Sequence, residues 1–141
     1  MKRILCILAL LAACAGEAQK PPVLVVGGDA ERGRAAIRTF GCGTCHVIPG
    51  VRGATGLTGP PLTNWRERAY IAGTLINEPN NLMFWIMFPD SVEPGTAMPT
   101  LGLSPTQAAD IAAYLYTVRD EGLTGPPRLF SVDWLHRLMP R

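Results

Sequence analysis

Apolar residues recur at helical spacing in three stretches of the chain. These stretches cover residues 30–40, 81–88 and 105–119. Asp29 is the predicted N-cap of the first helix, and Ser104 begins the third, where Pro105 and Gln107 complete a capping box. The pattern therefore predicts an all-α domain between about residues 28 and 120.

The segments between these helices carry weaker signals. A short helical piece is predicted from Arg66 to Ala72, and Asn80 or Asn81 is the expected cap of the second helix, which Pro89 would end. Residues 47–64 hold four glycines and three prolines, a composition that favours a loop. The sequence thus predicts short helices and a long loop between the two terminal helices.

The N-terminus has the pattern of a secretory signal. A basic start precedes about ten apolar residues, which is half of the ~20 that a membrane-spanning helix needs. Residues 1–13 are therefore predicted to be an export signal. The tripeptide Leu11-Ala12-Ala13 before Cys14 resembles a bacterial lipobox, so Cys14 is expected to carry a lipid anchor to the membrane. Ordinary cleavage after a small residue nearby is the alternative.

The charge balance argues against a polyanionic partner. Thirteen basic and eleven acidic residues give a formal charge of +2, and removal of Lys2 and Arg3 with the signal would leave equal numbers. A chain so nearly neutral is not expected to bind nucleic acid or to steer a charged partner over a distance. Docking to a protein partner is expected to depend on an apolar patch instead.

The run Cys42-Gly43-Thr44-Cys45-His46 is typical of covalent attachment of a c-type haem. Each thiol adds to a vinyl group of the haem to form a thioether, and His46 becomes the proximal ligand of the iron. A structural zinc site needs four ligands, and past the N-terminal segment the remaining candidate is His136, some ninety residues away. A thioredoxin-type pair would lie near a βαβ pattern, and a disulfide leaves the histidine unexplained. The run therefore predicts one covalently bound haem c.

The sixth ligand of the iron is expected to be one of the five methionines. Met1 leaves with the signal, Met139 belongs to the tail, and Met83 and Met87 are spaced for one apolar helix face, which predicts core packing. Met98 follows Pro94 and Gly95 and precedes a further proline. These residues disfavour a regular helix, so Met98 is predicted to lie on a loop. Met98 is therefore the predicted ligand.

Several segments, taken in order, resemble a class I c-type cytochrome over roughly residues 28–119. They are Gly28–Gly33, Cys42–His46, Gly59–Leu62, Leu82–Phe88, Pro94–Pro99 and Ile111–Leu115. The resemblance implies the all-α cytochrome c fold, in which the N- and C-terminal helices cross and shorter helices and loops wrap around one haem. The stretch Ala72–Leu82 is similar to the cytochrome c domain fused to subunit II of caa3-type oxidases.

The resemblance also implies roles for individual side chains. The carbonyl of Pro60 would accept the Nδ1 proton of His46, and such a bond fixes the ring and raises its basicity. Trp85 would form the wall of the haem pocket on the side of the methionine ligand. Three further residues match positions that meet the haem propionates, namely Arg68, Asn77 and Thr96.

These inferences predict an export signal (1–13), a spacer (14–27), a cytochrome c domain (28–120) and a C-terminal tail of unknown role (121–141). The protein is expected to be a one-electron carrier and not itself an enzyme. It would work on the periplasmic side of a bacterial cytoplasmic membrane, lipid-anchored or else soluble in the periplasm. A bc1-type complex or a dehydrogenase would be the donor, and a terminal oxidase the acceptor. The alternatives are a fixed haem subunit of a larger membrane complex, and a haem protein that binds a gas or peroxide at a labile methionine.

Overall fold

The computed structural model describes residues 21–119, and within this range it contains four α-helices and one short hairpin. The helices are α1 (Ala30–Thr39), α2 (Pro79–Met87), α3 (Pro89–Val92) and α4 (Pro105–Thr117). Two 3₁₀ turns (Cys42–Thr44 and Trp65–Glu67) and two antiparallel strands, β1 (Tyr70–Ile71) and β2 (Leu75–Ile76), complete the elements. This architecture is the mainly helical one that the sequence predicts.

The predicted ends of the terminal helices are confirmed where they depend on capping. The Asp29 carboxylate accepts from the backbone N–H of Arg32 at 2.8 Å. At the start of α4, the Ser104 hydroxyl accepts from the N–H of Gln107, whose side chain accepts from the N–H of Ser104 at 2.9 Å. These bonds satisfy backbone donors that the first helical turn leaves free. The far end of α4 comes earlier than predicted, because Val118 is already extended.

Two predictions for the middle of the chain are wrong. The predicted helical piece at 66–72 is replaced by the 3₁₀ turn Trp65–Glu67 and strand β1, because Arg68 is extended and the chain reverses at Ala72 and Gly73, both at positive φ. Helix α2 begins at Pro79 with no side-chain cap. Proline at the first helical position already has a helical φ and lacks the N–H that a cap would satisfy.

Helices α1 and α4 cross at very close range. A Cβ on Gly33 would lie 1.9 Å from the carbonyl oxygen of Asp110, and one on Gly28 would lie 2.4 Å from that of Ala109. Only glycine lets two helix backbones approach so closely. The crossing brings the first and last helices of the domain together, which is the arrangement that the resemblance implies.

The core lies between α4 and the elements that pack on it. Helix α2 and the turn Trp65–Glu67 both contact α4, besides its crossing with α1. The apolar residues that recur at helical spacing at the end of the domain are buried, namely Ala108, Ile111, Ala112, Leu115 and Val118. Ile37, Ile48, Ile71 and Leu82 are the most deeply buried aliphatic side chains facing these residues or the adjoining loops. A cavity opens beside this core and contains the predicted site.

The predicted signal, Cys14 and the C-terminal tail lie outside the described residues. Between residues 21 and 119, none of the helices is long and apolar enough to cross a bilayer.

Candidate haem site

The two cysteines and the histidine of the C-x-x-C-H run lie on one tight turn after α1. Gly41 ends the helix with φ at 69°, and the carbonyl of Cys42 then accepts from the N–H groups of Cys45 and His46 at 3.3 and 3.0 Å. Gly43 has no room for a side chain, because a Cβ there would lie 2.7 Å from Ala54. The loop that follows thus packs against the run and holds it in one conformation.

A cavity of about 250 Å³ lies beside this turn. Seven of the predicted haem-contacting or iron-ligating residues line it, namely Cys42, His46, Pro60, Arg68, Trp85, Thr96 and Met98. Apolar side chains from three helices complete the wall, among them Ile37, Leu82, Ile86, Ile111 and Leu115. Cys45 and Asn77 are predicted site residues that do not line the cavity. The fold therefore gathers residues 37 to 115 around one largely apolar space.

The ring of His46 is held by the loop opposite. Its Nδ1 lies 2.7 Å from the carbonyl oxygen of Pro60. A carbonyl can only accept, so Nδ1 carries the proton, and in a neutral imidazole Nε2 then keeps the lone pair. This is the protonation state that a metal-ligating histidine requires, with the outer bond setting the orientation of the ring.

Gly59 is a functional residue that the sequence does not reveal. A Cβ on Gly59 would lie 2.3 Å from Cε1 of His46, so any larger residue would displace the ring. The Gly59 N–H also donates to the carbonyl of Cys45 at 2.8 Å. The sequence marks Gly59 as part of a turn motif, but a contact with a ring thirteen residues earlier depends on how the loop folds back.

The thiols of Cys42 and Cys45 are free in this structure. Burial raises the pKa of the Cys42 thiol, and the nearby Cys45 adds a smaller effect in the same direction. A buried thiol with a raised pKa is a poor free nucleophile and redox catalyst at neutral pH. This environment argues against thioredoxin-type chemistry at Cys42.

Met98 reaches the cavity from the loop between α3 and α4. Gly95, at a φ of 78°, turns this loop, and its N–H donates to the carboxylate of Asp90 at 2.9 Å. The N–H of Met98 donates to the hydroxyl of Thr96 at 3.3 Å. Met83 and Met87 are half-buried against the core and are absent from the cavity lining. Of the three methionines between residues 21 and 119, the loop residue Met98 therefore lines the cavity and the two helix residues do not.

Arg68 places a cation in the cavity wall. Its guanidinium lies 4.8 Å above the ring of Trp65 and donates to the carbonyls of Pro61 and Thr63. Burial lowers the pKa of Arg68, since removal from water disfavours the charged form. Trp65 is itself buried and lines the cavity, although no periodic pattern in the sequence distinguishes it from a general core residue.

Asn77, predicted to meet a haem propionate, does not line the cavity. Its side chain bonds to protein partners, the carbonyls of Trp65 and Arg68 and the hydroxyl of Tyr116. Both the Nδ2 group and the Oδ1 atom of the side-chain amide thus have partners within the protein. Asn77 therefore supports the segment that carries Arg68, whereas Arg68 and Thr96 themselves line the cavity.

The residues around the cavity fit a haem c. A haem c takes an imidazole with a free Nε2, a thioether and two thiols for ligation and attachment. The cavity wall supplies all of these except the second thiol, which belongs to Cys45 at the end of the adjoining turn. The apolar wall suits the porphyrin ring, and Arg68 offers a partner for an anionic substituent. Within residues 21–119, there is no cluster of three or more His, Cys, Asp or Glu side chains that could hold a bare metal ion.

Comparison with known proteins agrees with this geometry. Residues 30–119 match the family model described as Cytochrome c. The chain is also 35% identical over 91 residues to the cytochrome c oxidase subunit 2 of Alkalihalophilus pseudofirmus. That match covers 64% of the chain and 26% of the relative, so the chain spans about a quarter of that subunit's length. Because the family model covers well over half of the chain, this protein belongs to the cytochrome c family, whose members transfer electrons by means of a haem c.

Proposed function

We propose that the protein carries single electrons on one haem c, attached covalently through Cys42 and Cys45 and ligated by His46 and Met98. The observation that carries the proposal is the shared cavity, which His46 and Met98 both line beside Cys42. A haem held in this way supplies an iron that alternates between Fe(III) and Fe(II) without bond chemistry on a substrate.

The side chains around the cavity favour electron transfer over ligand binding. The bond from His46 to the Pro60 carbonyl holds the ring at one angle and increases its basicity as a ligand. Met98 offers a soft thioether, which fills the sixth position and favours the reduced state. The apolar wall excludes water and so limits solvent rearrangement when the charge changes. Together these groups give a site that needs little reorganisation between the two oxidation states.

Substitution of Met98 tests the ligand assignment. We expect Met98→His to lower the reduction potential by a sizeable part of the ~0.8 V range over which axial ligands set haem potentials. The long-wavelength charge-transfer band of a methionine-ligated ferric haem should also disappear. Redox titration and absorption spectra of the purified haem protein measure both. Met87→Leu, a methionine substitution on the core side of α2, is the matched control and should change neither.

Carbon monoxide binding separates the carrier from a gas- or peroxide-binding protein. A ferrous haem whose sixth position is held by Met98 binds carbon monoxide slowly, because the thioether must leave first. Rapid binding by the wild-type protein, together with a missing charge-transfer band, would rule out the carrier proposal.

We further propose that the protein works outside the bacterial cytoplasmic membrane and delivers electrons to a terminal oxidase, after receiving them from a bc1-type complex or a dehydrogenase. The support is the N-terminal signal pattern and the similarity to an oxidase subunit. Mass spectrometry of the mature protein tests the location, since a lipid anchor requires an acylated N-terminal Cys14. An unmodified terminus at Ala15 or later would rule out the anchor.

A second candidate is a fixed haem subunit of a membrane oxidoreductase complex. It is favoured by the relative, which is named as a subunit of cytochrome c oxidase. Extraction in mild detergent followed by size-exclusion chromatography distinguishes the two. A free carrier elutes near its own mass, and a fixed subunit elutes with a larger complex that contains further polypeptides.

A further inference from the structure

Asn77 is the centre of a hydrogen-bonded network outside the cavity lining. Its Nδ2 donates to the carbonyl of Trp65 at 2.8 Å and to that of Arg68 at 3.0 Å. Its backbone N–H donates to the carbonyl of Ala69 at 3.0 Å. Its Oδ1 accepts from the hydroxyl of Tyr116 at 2.9 Å. One amide therefore ties the turn Trp65–Glu67, together with the two residues after it, to helix α4.

The network has one consistent orientation. The Asn77 amide presents its two N–H donors to two carbonyls and its oxygen to a hydroxyl. A flipped amide would place its oxygen against the carbonyls of Trp65 and Arg68, where two acceptors would meet. The Tyr116 hydroxyl is the group on α4 that completes the network, and Tyr116 is only 5% exposed. Burial raises the pKa of Tyr116 to about 12, against a smaller lowering by the nearby indole of Trp65, so the phenol stays a donor at physiological pH.

The network holds the backbone of Arg68, whose side chain is the cation in the cavity wall. Arg68 follows the turn that Asn77 closes, and its own N–H donates to the Trp65 carbonyl at 3.2 Å, the same oxygen that Asn77 uses. The guanidinium then stacks over the Trp65 ring and lines the cavity. The described hydrogen bonds of its side chain are made to carbonyls, so its positive charge is not cancelled by them.

We propose that Tyr116 is a positioning residue: through Asn77 it holds Arg68 at the cavity wall and so raises the reduction potential of the haem. A positive charge near the iron disfavours the more positive, oxidised state, and it does so strongly where the surroundings are apolar. Without the Tyr116 hydroxyl, the amide loses its anchor on α4 and the turn can relax, so that Arg68 moves toward solvent. The inference rests on the proposed function, because Arg68 can affect a potential only if a haem occupies this cavity.

The test compares two tyrosines on the same helix. Tyr116→Phe removes the hydroxyl that bonds Asn77, and Tyr114→Phe removes a similarly buried hydroxyl that donates to the Pro49 carbonyl at 2.7 Å. Each purified haem protein is titrated to its midpoint potential after its haem content and ferric spectrum have been checked. We expect a lower midpoint in Tyr116→Phe and an unchanged one in Tyr114→Phe. No shift in Tyr116→Phe, or equal shifts in both, would overturn the inference.

A double-mutant cycle tests whether the effect passes through Arg68. Arg68→Gln should lower the midpoint by itself, and Tyr116→Phe should then add nothing in the Arg68→Gln background. A full additional shift in that background would contradict the proposed route. If Tyr116→Phe does not fold, Asn77→Ser is measured against the same control; it removes the bond to Tyr116 together with those to the carbonyls of Trp65 and Arg68, so the midpoint should again fall.

The proposed function and the role of Tyr116 can fail separately. If the wild-type protein takes up no haem, or lacks the spectrum of methionine ligation, the proposed function is wrong. If haem and spectrum are intact and the midpoint ignores Tyr116, only the role of Tyr116 is wrong.

Discussion

The ring of His46 keeps its position because residue 59 is a glycine, whose side chain is a single hydrogen atom. Gly59 lies against the His46 ring, with room for no carbon atom between them, and the next residue supplies the carbonyl that holds Nδ1. At the scale of residues, the site therefore depends on a side chain that is missing as much as on those present. The neighbouring Gly56 is equally confined, since a Cβ there would lie 2.1 Å from the carbonyl oxygen of Thr44.

We expect Gly59→Ala to reduce the haem content of the purified protein several-fold. The added methyl group overlaps a ring that packing allows little room to shift, so His46 must rotate away from the Pro60 carbonyl. The ratio of haem absorbance to protein measures the loss. Thr58→Ala, a neighbouring exposed substitution, should leave that ratio unchanged. Normal haem content in Gly59→Ala would show that the loop can move aside at little cost.

At the scale of elements, the crossing of α1 and α4 fixes the frame around the cavity. Backbone meets backbone at Gly33 and Asp110, where no side-chain rotation can relieve an overlap. An ion pair also joins α1 and α4 near that point. Asp110, 5% exposed, accepts from the N–H of Asp29 at 2.8 Å and from Nε and Nη2 of Arg32 at 2.9 and 2.8 Å. The sequence places Asp110 next to apolar residues of α4 but does not show its partner 78 residues away.

We expect Gly33→Ala to destabilise the protein by about 1–3 kcal/mol or more, the usual range for overpacking. Alanine is the better helix former by ~1 kcal/mol, so a site without contacts would be stabilised instead. At Gly33 the steric overlap outweighs the gain in helix propensity, because the overlapping atom is the backbone oxygen of Asp110. That oxygen can move away only if helix α4 moves with it. Urea unfolding followed by circular dichroism measures the difference. Arg34→Ala, on the exposed side of α1, is the control and should change stability little.

The bond between Arg32 and Asp110 should make stability depend on pH in the acid range. Hydrogen bonds from Arg32, and then from the Asp29 N–H, hold the pKa of Asp110 below its usual value. The folded state therefore binds this proton less readily than the unfolded state. The resulting stability is present above the unfolded pKa of ~3.9 and is lost as pH falls through the lower folded value.

We therefore expect Asp110→Asn to unfold at a lower urea concentration than wild type at pH 7, with the difference shrinking below about pH 4. Urea titrations at a series of pH values measure this. Glu31→Gln removes an exposed carboxylate from α1, the helix that carries Arg32, at 3.9 Å from Arg34, and should show a small effect at every pH. A difference for Asp110→Asn that is constant down to pH 2 would contradict an electrostatic origin.

At the scale of the whole molecule, the haem is expected to be part of the core. The cavity of about 250 Å³ is bordered by α1, α2, α4 and the loops between them. A haem seated there would cover the apolar side chains that these three helices turn toward the cavity and keep water away from them. Small domains have a total stability of only about 5–15 kcal/mol. A chain without its haem would thus lose a large part of its stability, or would collapse into the space.

We expect the double variant Cys42→Ser, Cys45→Ser, made without bound haem, to lose a cooperative thermal transition or to melt far below wild type. Calorimetry and circular dichroism measure it. Met98→Ala is the matched control: both thioether attachments remain, so it should keep its haem and most of its melting temperature. A haem-free double variant that melts like wild type would show that the cavity closes by itself.

The sequence by itself determined the family resemblance, the attachment run, the candidate ligands and the capped ends of the terminal helices. These features are local: a C-x-x-C-H spacing, a proline-bounded loop methionine and a capping box each need only neighbouring residues. Membership of the cytochrome c family confirms the resemblance. The helical piece at 66–72 was wrong because its outcome depends on pairing between Tyr70 and Ile76, which local propensity does not contain.

Apart from the Pro60 carbonyl, which the resemblance already implies, the residues that support the site are seen only in the tertiary structure. Gly59 against His46, Asp110 against Arg32 and Asn77 against Tyr116 join positions 13, 78 and 39 residues apart. Such contacts depend on how closely helices cross and how loops return, and these follow from the packing of the whole core. Short motifs in the sequence therefore predict the residues of the candidate haem site. Most of the groups that hold these residues in position can be identified only from the folded chain, because they are distant in sequence.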